Sequence, residues 1–226
     1  MGVRAEAKEK RRGEILAAGL DLFTRKGFAA AKITDIADAV GMSVGLLFHY
    51  YPSKEMLYEA LIDMGTEQQK RLLEHLKSTE PTPEQTLLFF STITRRILAE
   101  ISAGFFPAQL YLLTAQAWYS DEPPVGLLRG VSRKTVLTVS AKQIRRGQSC
   151  GVIRDGDSHA LAALFWAALE GVARTLAHAP PDGPRPAVPK AEWLLAPLSG
   201  TGQGIAGNWR RISPATGGHV CSPDRI

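Results

Sequence analysis

Residues 33–57 read ITDIADAVGMSVGLLFHYYPSKEML, and how this stretch folds decides how the rest of the chain is read. Thr34 offers an N-cap, and Asp35 suits the positive end of a helix dipole. Ile36, Ala37 and Val40 make the inner face of a short helix that Gly41 closes. Ser43 caps the next helix, Pro52-Ser53 ends it, and Ser53 caps a further one starting at Lys54. Two short helices at a tight corner form a helix-turn-helix unit. At about 100° per residue, Leu47 and Tyr51 fall on one side and pack inward. Gly45 and His49 point the opposite way, Leu46 and Phe48 flank them, and Tyr50 lies at the margin. Gly45 leaves room for another surface to approach the backbone.

The rest of the chain is helical in pattern. Upstream, Ile15, Leu16, Gly19, Leu22 and Phe23 recur at one-face spacing, and Thr24-Arg25-Lys26-Gly27 ends that helix. Downstream, helices are expected over 54–77, 83–102, 107–119, 127–148, 158–178 and 190–198, separated by TEPTP, DEPPVG, CGVIRDGD and APPDGPRPAVP. No strand alternation persists and no repeat is visible. The expected fold is all-α: a three-helix helix-turn-helix domain over 1–53, a helical-bundle domain over 54–199, and a flexible glycine-rich tail over 200–226.

Composition narrows the function. Hydrophobic residues make up 45% of 226, an ordinary globular share. Apolar runs are interrupted by charge or glycine short of a membrane span, and no apolar core follows the basic start as in a secretory leader. No membrane partner is therefore expected, and the location is expected to be cytoplasmic. Cys150 and Cys221 are far apart, and no disulfide is expected. There is no nucleophile elbow, phosphate loop, HExxH or CxxC, and His49, His75, His159, His178 and His219 show no ligand-like pairing. Neither an enzyme nor a cofactor or metal site is expected. The net charge of +5 sits at the ends: residues 1–12 hold five basic and two acidic side chains, residues 200–226 three and one, and the body is balanced. A basic arm beside a compact helical motif suits phosphate contact, although a solvated terminus has the same composition.

Residues 12–60 resemble the TetR-type transcriptional repressors. The resemblance rests on Phe23, Gly27, Phe28, Thr34, Ile36, Ala37, Gly41, Ser43, Gly45, Leu47, Tyr50, Ser53, Lys54, Glu55 and Leu57. It extends more weakly to FWAALEGVART and WLLAPLSG. It implies a DNA-binding regulator whose contacts come from Thr34, Ser43, Val44, Gly45, Leu46, Phe48, His49, Tyr50 and Lys54. Thr34, Tyr50 and Lys54 would meet phosphates, and His49 a base edge or a phosphate. Plain alternatives exist: Thr34 only caps, Tyr50 only packs, Lys54 is only solvated. Val44, Leu46 and Phe48 depart from the usual polar or tyrosine residues, which leaves Leu46 to meet thymine methyl groups. The basic arm would reach the adjacent minor groove.

The resemblance further implies a homodimer on a palindromic double-stranded operator, released by a small, largely apolar effector. The dimer face would be Leu161, Phe165, Ala168, Leu169, Val172, Leu194 and Leu195. The effector pocket would be Phe89, Phe105, Phe106, Tyr111, Trp118 and Trp166, although such aromatics also serve as plain core. The competing reading is a helical adaptor or membrane-surface binder without sequence-specific DNA binding.

Overall fold

The computed structural model describes residues 2–117, 133–180 and 183–200. Trp118, Tyr119, the helix start expected near residue 127 and the tail beyond residue 200 lie outside the described residues. The helices are α1 (Val3–Ala30), α2 (Ile33–Ala39), α3 (Val44–Tyr50), α4 (Lys54–Ser78), α5 (Thr86–Ser102), α6 (Phe105–Ala117), α7 (Arg133–Gln148), α8 (Ser158–Ala177) and α9 (Ala191–Leu195). Short 3-10 turns precede α5 at Pro83–Gln85 and follow α9 at Ala196–Leu198. The fold is all-α. The one β feature among the described residues is an isolated bridge between Ile153 and Ser199.

Three local expectations change. The first is the basic arm: α1 begins at Val3, so residues 3–12 are helix. The segment RAEAKEKRR is built from strong helix formers, and the Gly2 carbonyl accepts the Ala5 and Glu6 amides at 2.8 and 3.3 Å. A helix roughly 10–12 Å across does not itself fit a minor groove about 6 Å wide, so residues 3–12 are not the extended arm that would lie in one. The second is the start of α2. Its N-cap is Lys32, Ile33 packs against the amino-terminal core, and Thr34 lies inside the first turn. The third is α8, whose 20 residues are long and apolar enough to match a membrane span, contrary to the expectation for the whole chain. Phe165, Trp166 and Leu169 of this helix are nonetheless buried inside the protein.

The chain divides into two compact units. The first comprises Met1–Leu73, Glu100–Arg133 and Glu170–Ala187. Its core gathers Ile15, Leu20 and Phe23 of α1, Ile36 and Ala37 of α2, Leu47 of α3, Leu57, Leu61 and Ile62 of α4, and Leu110, Leu113 and Ala117 of α6. The amino-terminal core therefore runs past residue 53 into α4 and takes in α6. Phe23, Phe28 and Tyr58 meet edge-on or tilted, with centroids 4.9–5.8 Å apart. Buried Gln109 of α6 donates to Asp21 of α1 at 2.8 Å, and Arg25 donates to the same oxygen at 2.8 Å. Arg185 lies 5.1 Å from the Phe105 ring centroid and donates to the Ser102 carbonyl at 3.3 Å.

The second unit comprises Glu74–Ala99, Lys134–Leu169 and Val188–Ile226. A chain of rings crosses it: Phe89 to Phe90 at 5.7 Å, Phe90 to Phe165 at 5.1 Å, Phe165 to Trp166 at 5.1 Å. Trp166 Nε1 donates to buried Ser140 at 3.0 Å, which satisfies the indole within the apolar stack. Arg95 of α5 pairs with Glu192 of α9 at 2.8 Å.

In the first unit, α4 and α6 touch at Gly65. A Cβ there would fall inside the contact radius of the Thr114 hydroxyl oxygen and 3.1 Å from Thr114 Cβ. That hydroxyl is buried and donates to the Leu110 carbonyl at 2.6 Å, so it is not free to turn away. Gly65→Ala is expected to lower unfolding free energy by roughly 1–3 kcal/mol, the usual cost of overpacking. Gly13→Ala, in open space on α1, should instead raise it by roughly 0.5–1 kcal/mol. Urea denaturation of both variants checks the contrast in sign.

Candidate nucleic-acid interface

The corner between α2 and α3 is made by Gly41, whose φ of 63° lies in the left-handed region. The Met42 amide closes the turn on the Ala37 carbonyl at 3.0 Å. Ser43 caps α3 as its position suggests, accepting the Leu46 amide on Oγ at 3.2 Å. Ser53 caps α4 likewise, accepting the Met56 amide at 3.1 Å.

Within α3, Leu47 is fully buried and Tyr51, its C-cap residue, is 4% exposed. Gly45, Leu46, Phe48 and His49 face solvent, Leu46 at 46% and Phe48 at 40% exposure. Val44 and Tyr50 are half-buried and pack on the core margin. The outward edge is thus small at its start, apolar in the middle and polar at His49. Two large apolar side chains held open to water on one turn are unusual for a helix whose other face is fully packed. Thr34 is exposed on the first turn of α2, beside Asp35. The Lys26 ammonium, 2.8 Å away, holds the Asp35 carboxyl below its ordinary range, with Lys32 and the Thr34 hydroxyl adding to the effect.

Lys54 differs from its expected role. Its ammonium donates to the carbonyls of Phe28 at 2.9 Å and Ala31 at 3.2 Å, and sits 4.3 Å from the Phe28 ring centroid. These carbonyls follow the break at Gly27, where φ is 76° and α1 loses its helical path. Lys54 therefore ties the start of α4 to the end of α1 across the back of the helix-turn-helix. Tyr51 makes a contact that the sequence pattern did not suggest: the Arg12 guanidinium lies 5.0 Å from its ring centroid. Burial pushes the Tyr51 phenol up, and Arg12 opposes that shift. The signal was present, since Arg12 continues the Ile15, Gly19, Phe23 face of α1 one turn upstream.

Comparison with known proteins places this geometry. Residues 15–61 match the family described as bacterial regulatory proteins, tetR family. The chain carries a TetR-family amino-terminal domain. It is 29% identical over 121 residues to the uncharacterized HTH-type transcriptional regulator YfiR of Bacillus subtilis, an alignment covering 53% of this chain and 58% of that protein. It is 39% identical over 61 residues to the HTH-type transcriptional regulator RutR of Escherichia coli, covering 27% and 29%. The chain thus spans well under two thirds of these relatives. Among solved structures, apo AibR superposes at TM-score 0.56 with 18% identity, covering 84% of this chain and 98% of that one. The regulator PfmR of Thermus thermophilus superposes at 0.55 with 22% identity, covering 84% and 99%. At these identities the structural likeness speaks to the fold.

Around this TetR-family domain, the residues expected to hold an effector are drawn from both units. Phe89 and Trp166 lie in the second unit, buried in its ring chain. Phe105, Phe106 and Tyr111 belong to the first unit, where Phe106 packs on the amino-terminal core. Trp118 lies outside the described residues. Of the expected dimer face, Phe165, Leu169 and Leu195 are buried within the chain itself. Leu161, Ala168, Val172 and Leu194 are half-buried. The outward line of α8 runs instead through Ala160, Leu164, Ala167 and Gly171, with Leu164 50% exposed, and Trp193 of α9 is 63% exposed. The apolar pattern of α8 marked both sides of the helix, and periodicity could not say which one the core would take.

Lys54→Met keeps an apolar stem against Phe28 but leaves two part-buried carbonyls without their donor. It should cost roughly 1–3 kcal/mol of stability in chemical denaturation. Unchanged stability, with only a salt slope shallower by about one on DNA, would instead assign Lys54 to a phosphate.

Proposed function

We propose that this chain is a DNA-binding transcriptional regulator, a cytoplasmic repressor that sits as a homodimer on a palindromic operator and leaves it when a small, largely apolar effector binds. One observation carries the reading: α3 packs Leu47 and Tyr51 inward while it holds Gly45, Leu46, Phe48 and His49 outward as a fixed edge. An edge of this kind is what a recognition helix lays in a major groove. One structural neighbour, AibR, is known in complex with isovaleryl coenzyme A and operator DNA. The same pairing of a small ligand with DNA is proposed for this chain.

Roles follow from chemistry and exposure. Gly45 lets backbone and bases approach, Leu46 and Phe48 supply apolar contact, and His49 donates to a base edge or phosphate. Thr34, at the exposed first turn of α2, and the half-buried Tyr50 meet the sugar-phosphate backbone. Ser43 and Val44 set the entry of α3 and its approach to the backbone. Two copies would meet along the outward line of α8 and Trp193. Effector release works by differential binding to two conformations, with α6 and α4 sharing a core with the reading module.

Leu46→Ser removes the apolar contact with a thymine methyl, so selection from random duplexes should return a consensus with relaxed thymine preference in each half-site. An identical consensus from both proteins would refute that role for Leu46. Leu164→Glu combined with Trp193→Glu should shift the chain to monomer in sedimentation, with affinity for the full palindrome falling to that for a half-site. A persisting dimer would place the interface elsewhere.

A further inference from the structure

The amino-terminal overhang of α1 is a surface that the reading edge of α3 leaves unused. Residues 3–12 carry the helix beyond Ile15, the first fully buried residue of the core. At about 100° per residue, Arg4, Lys8, Arg11 and Arg12 fall within an arc of roughly 100°, while Glu6, Glu9 and Lys10 point outside it. Charge is thus sorted by face within a segment where composition alone shows a mixture. Arg4 and Lys8 are exposed and pair with no carboxylate among the described residues. Arg11 shares the exposed Glu14 one turn on, at 2.7 Å.

The direction of this arc is set by packing. Arg12 is held against Tyr51, the C-cap of α3. Lys26 lies five helical turns beyond Lys8 at nearly the same azimuth, and it reaches Asp35 of α2. Asp21, which holds Gln109 of α6, lies roughly 140° round the helix from Lys8. The cationic stripe therefore looks to the α2–α3 side and away from α6. Steps of four and three residues set Arg4, Lys8 and Arg11 about 6 and 4.5 Å apart along the axis, a row of positive charge on one face.

We infer that residues 4–12 are a second DNA contact, a helical phosphate clamp laid along the backbone that flanks each half-site. It adds affinity and length of footprint and carries no base preference. This rests on the DNA-binding reading of α3, and the test separates the two. The full chain is first used to select a duplex from a random pool; if it selects none, the function proposed above falls and the clamp with it. On the selected duplex, with and without extended flanks, the native chain is compared with Arg4→Gln/Lys8→Gln/Arg11→Gln. Glutamine retains helix propensity, and circular dichroism confirms an intact fold.

The triple variant is expected to lose about tenfold or more in affinity on the flanked duplex at low salt, with a salt slope shallower by roughly two to three per bound chain. The outer phosphates should lose protection from hydroxyl radicals while the selected consensus stays the same. Lys10→Gln, off the stripe, should change neither slope nor protection. An unchanged slope and footprint in the triple variant, or an equal loss from Lys10→Gln, overturns the oriented clamp.

Discussion

The burial of Leu47 and Tyr51 is the constraint on which the outward edge of α3 depends. A helix of seven residues has no stability of its own in water, so α3 exists because its inner side is packed. Leu47 enters the cluster of Ile15, Leu20, Phe23 and Leu57, and Tyr51 closes it one turn later. These two contacts set the rotation of α3 about its axis, and the outward positions of Gly45, Leu46, Phe48 and His49 follow from that rotation. The Ser43 cap and the Gly41 turn set where the helix starts. The edge is therefore defined by what lies behind it.

The same cluster takes in α4 and α6, so the helix-turn-helix has no core of its own to retreat to. Leu110 and Leu113 of α6 are buried with Phe23 and Leu61, Gln109 is bonded to Asp21, and the Gly65–Thr114 contact leaves no slack between α4 and α6. Lys54 adds a polar tie between the first turn of α4 and the carbonyls that end α1. Close-packed contacts of this kind shift as discrete rearrangements rather than by continuous strain. In the proposed switch, a displacement of α6 or α4 reaches α1 through these contacts, and the position of α3 changes with it.

The fold could be read in the sequence because its signals were local. Caps at Ser43 and Ser53, the left-handed turn at Gly41, the break at Gly27 and the inward pair Leu47 and Tyr51 each depend on neighbours within one or two helical turns. Thr34 and Ser43 look alike locally as caps, yet α2 starts after Lys32, with Ile33 packed on the core, and α3 starts after Ser43. Counting the charge of the amino-terminal arm gives it no direction. Once placed on a helix, the same residues form a stripe with a direction.

What the sequence by itself determined was the order of the helices, the helix-turn-helix and the side of α3 that faces out, since a 3.6-residue period with capping residues contains that information. What only the tertiary structure decided was the use of surfaces that sequence leaves equivalent. It placed Phe165, Leu169 and Leu195 in the core while Leu164 and Trp193 stayed exposed, sent the Lys54 ammonium to two carbonyls, and brought α6 into the amino-terminal core. The physical reason is that hydrophobic burial is non-directional. An apolar residue records that it leaves water, and the partner it meets is selected by contacts between residues distant in the chain.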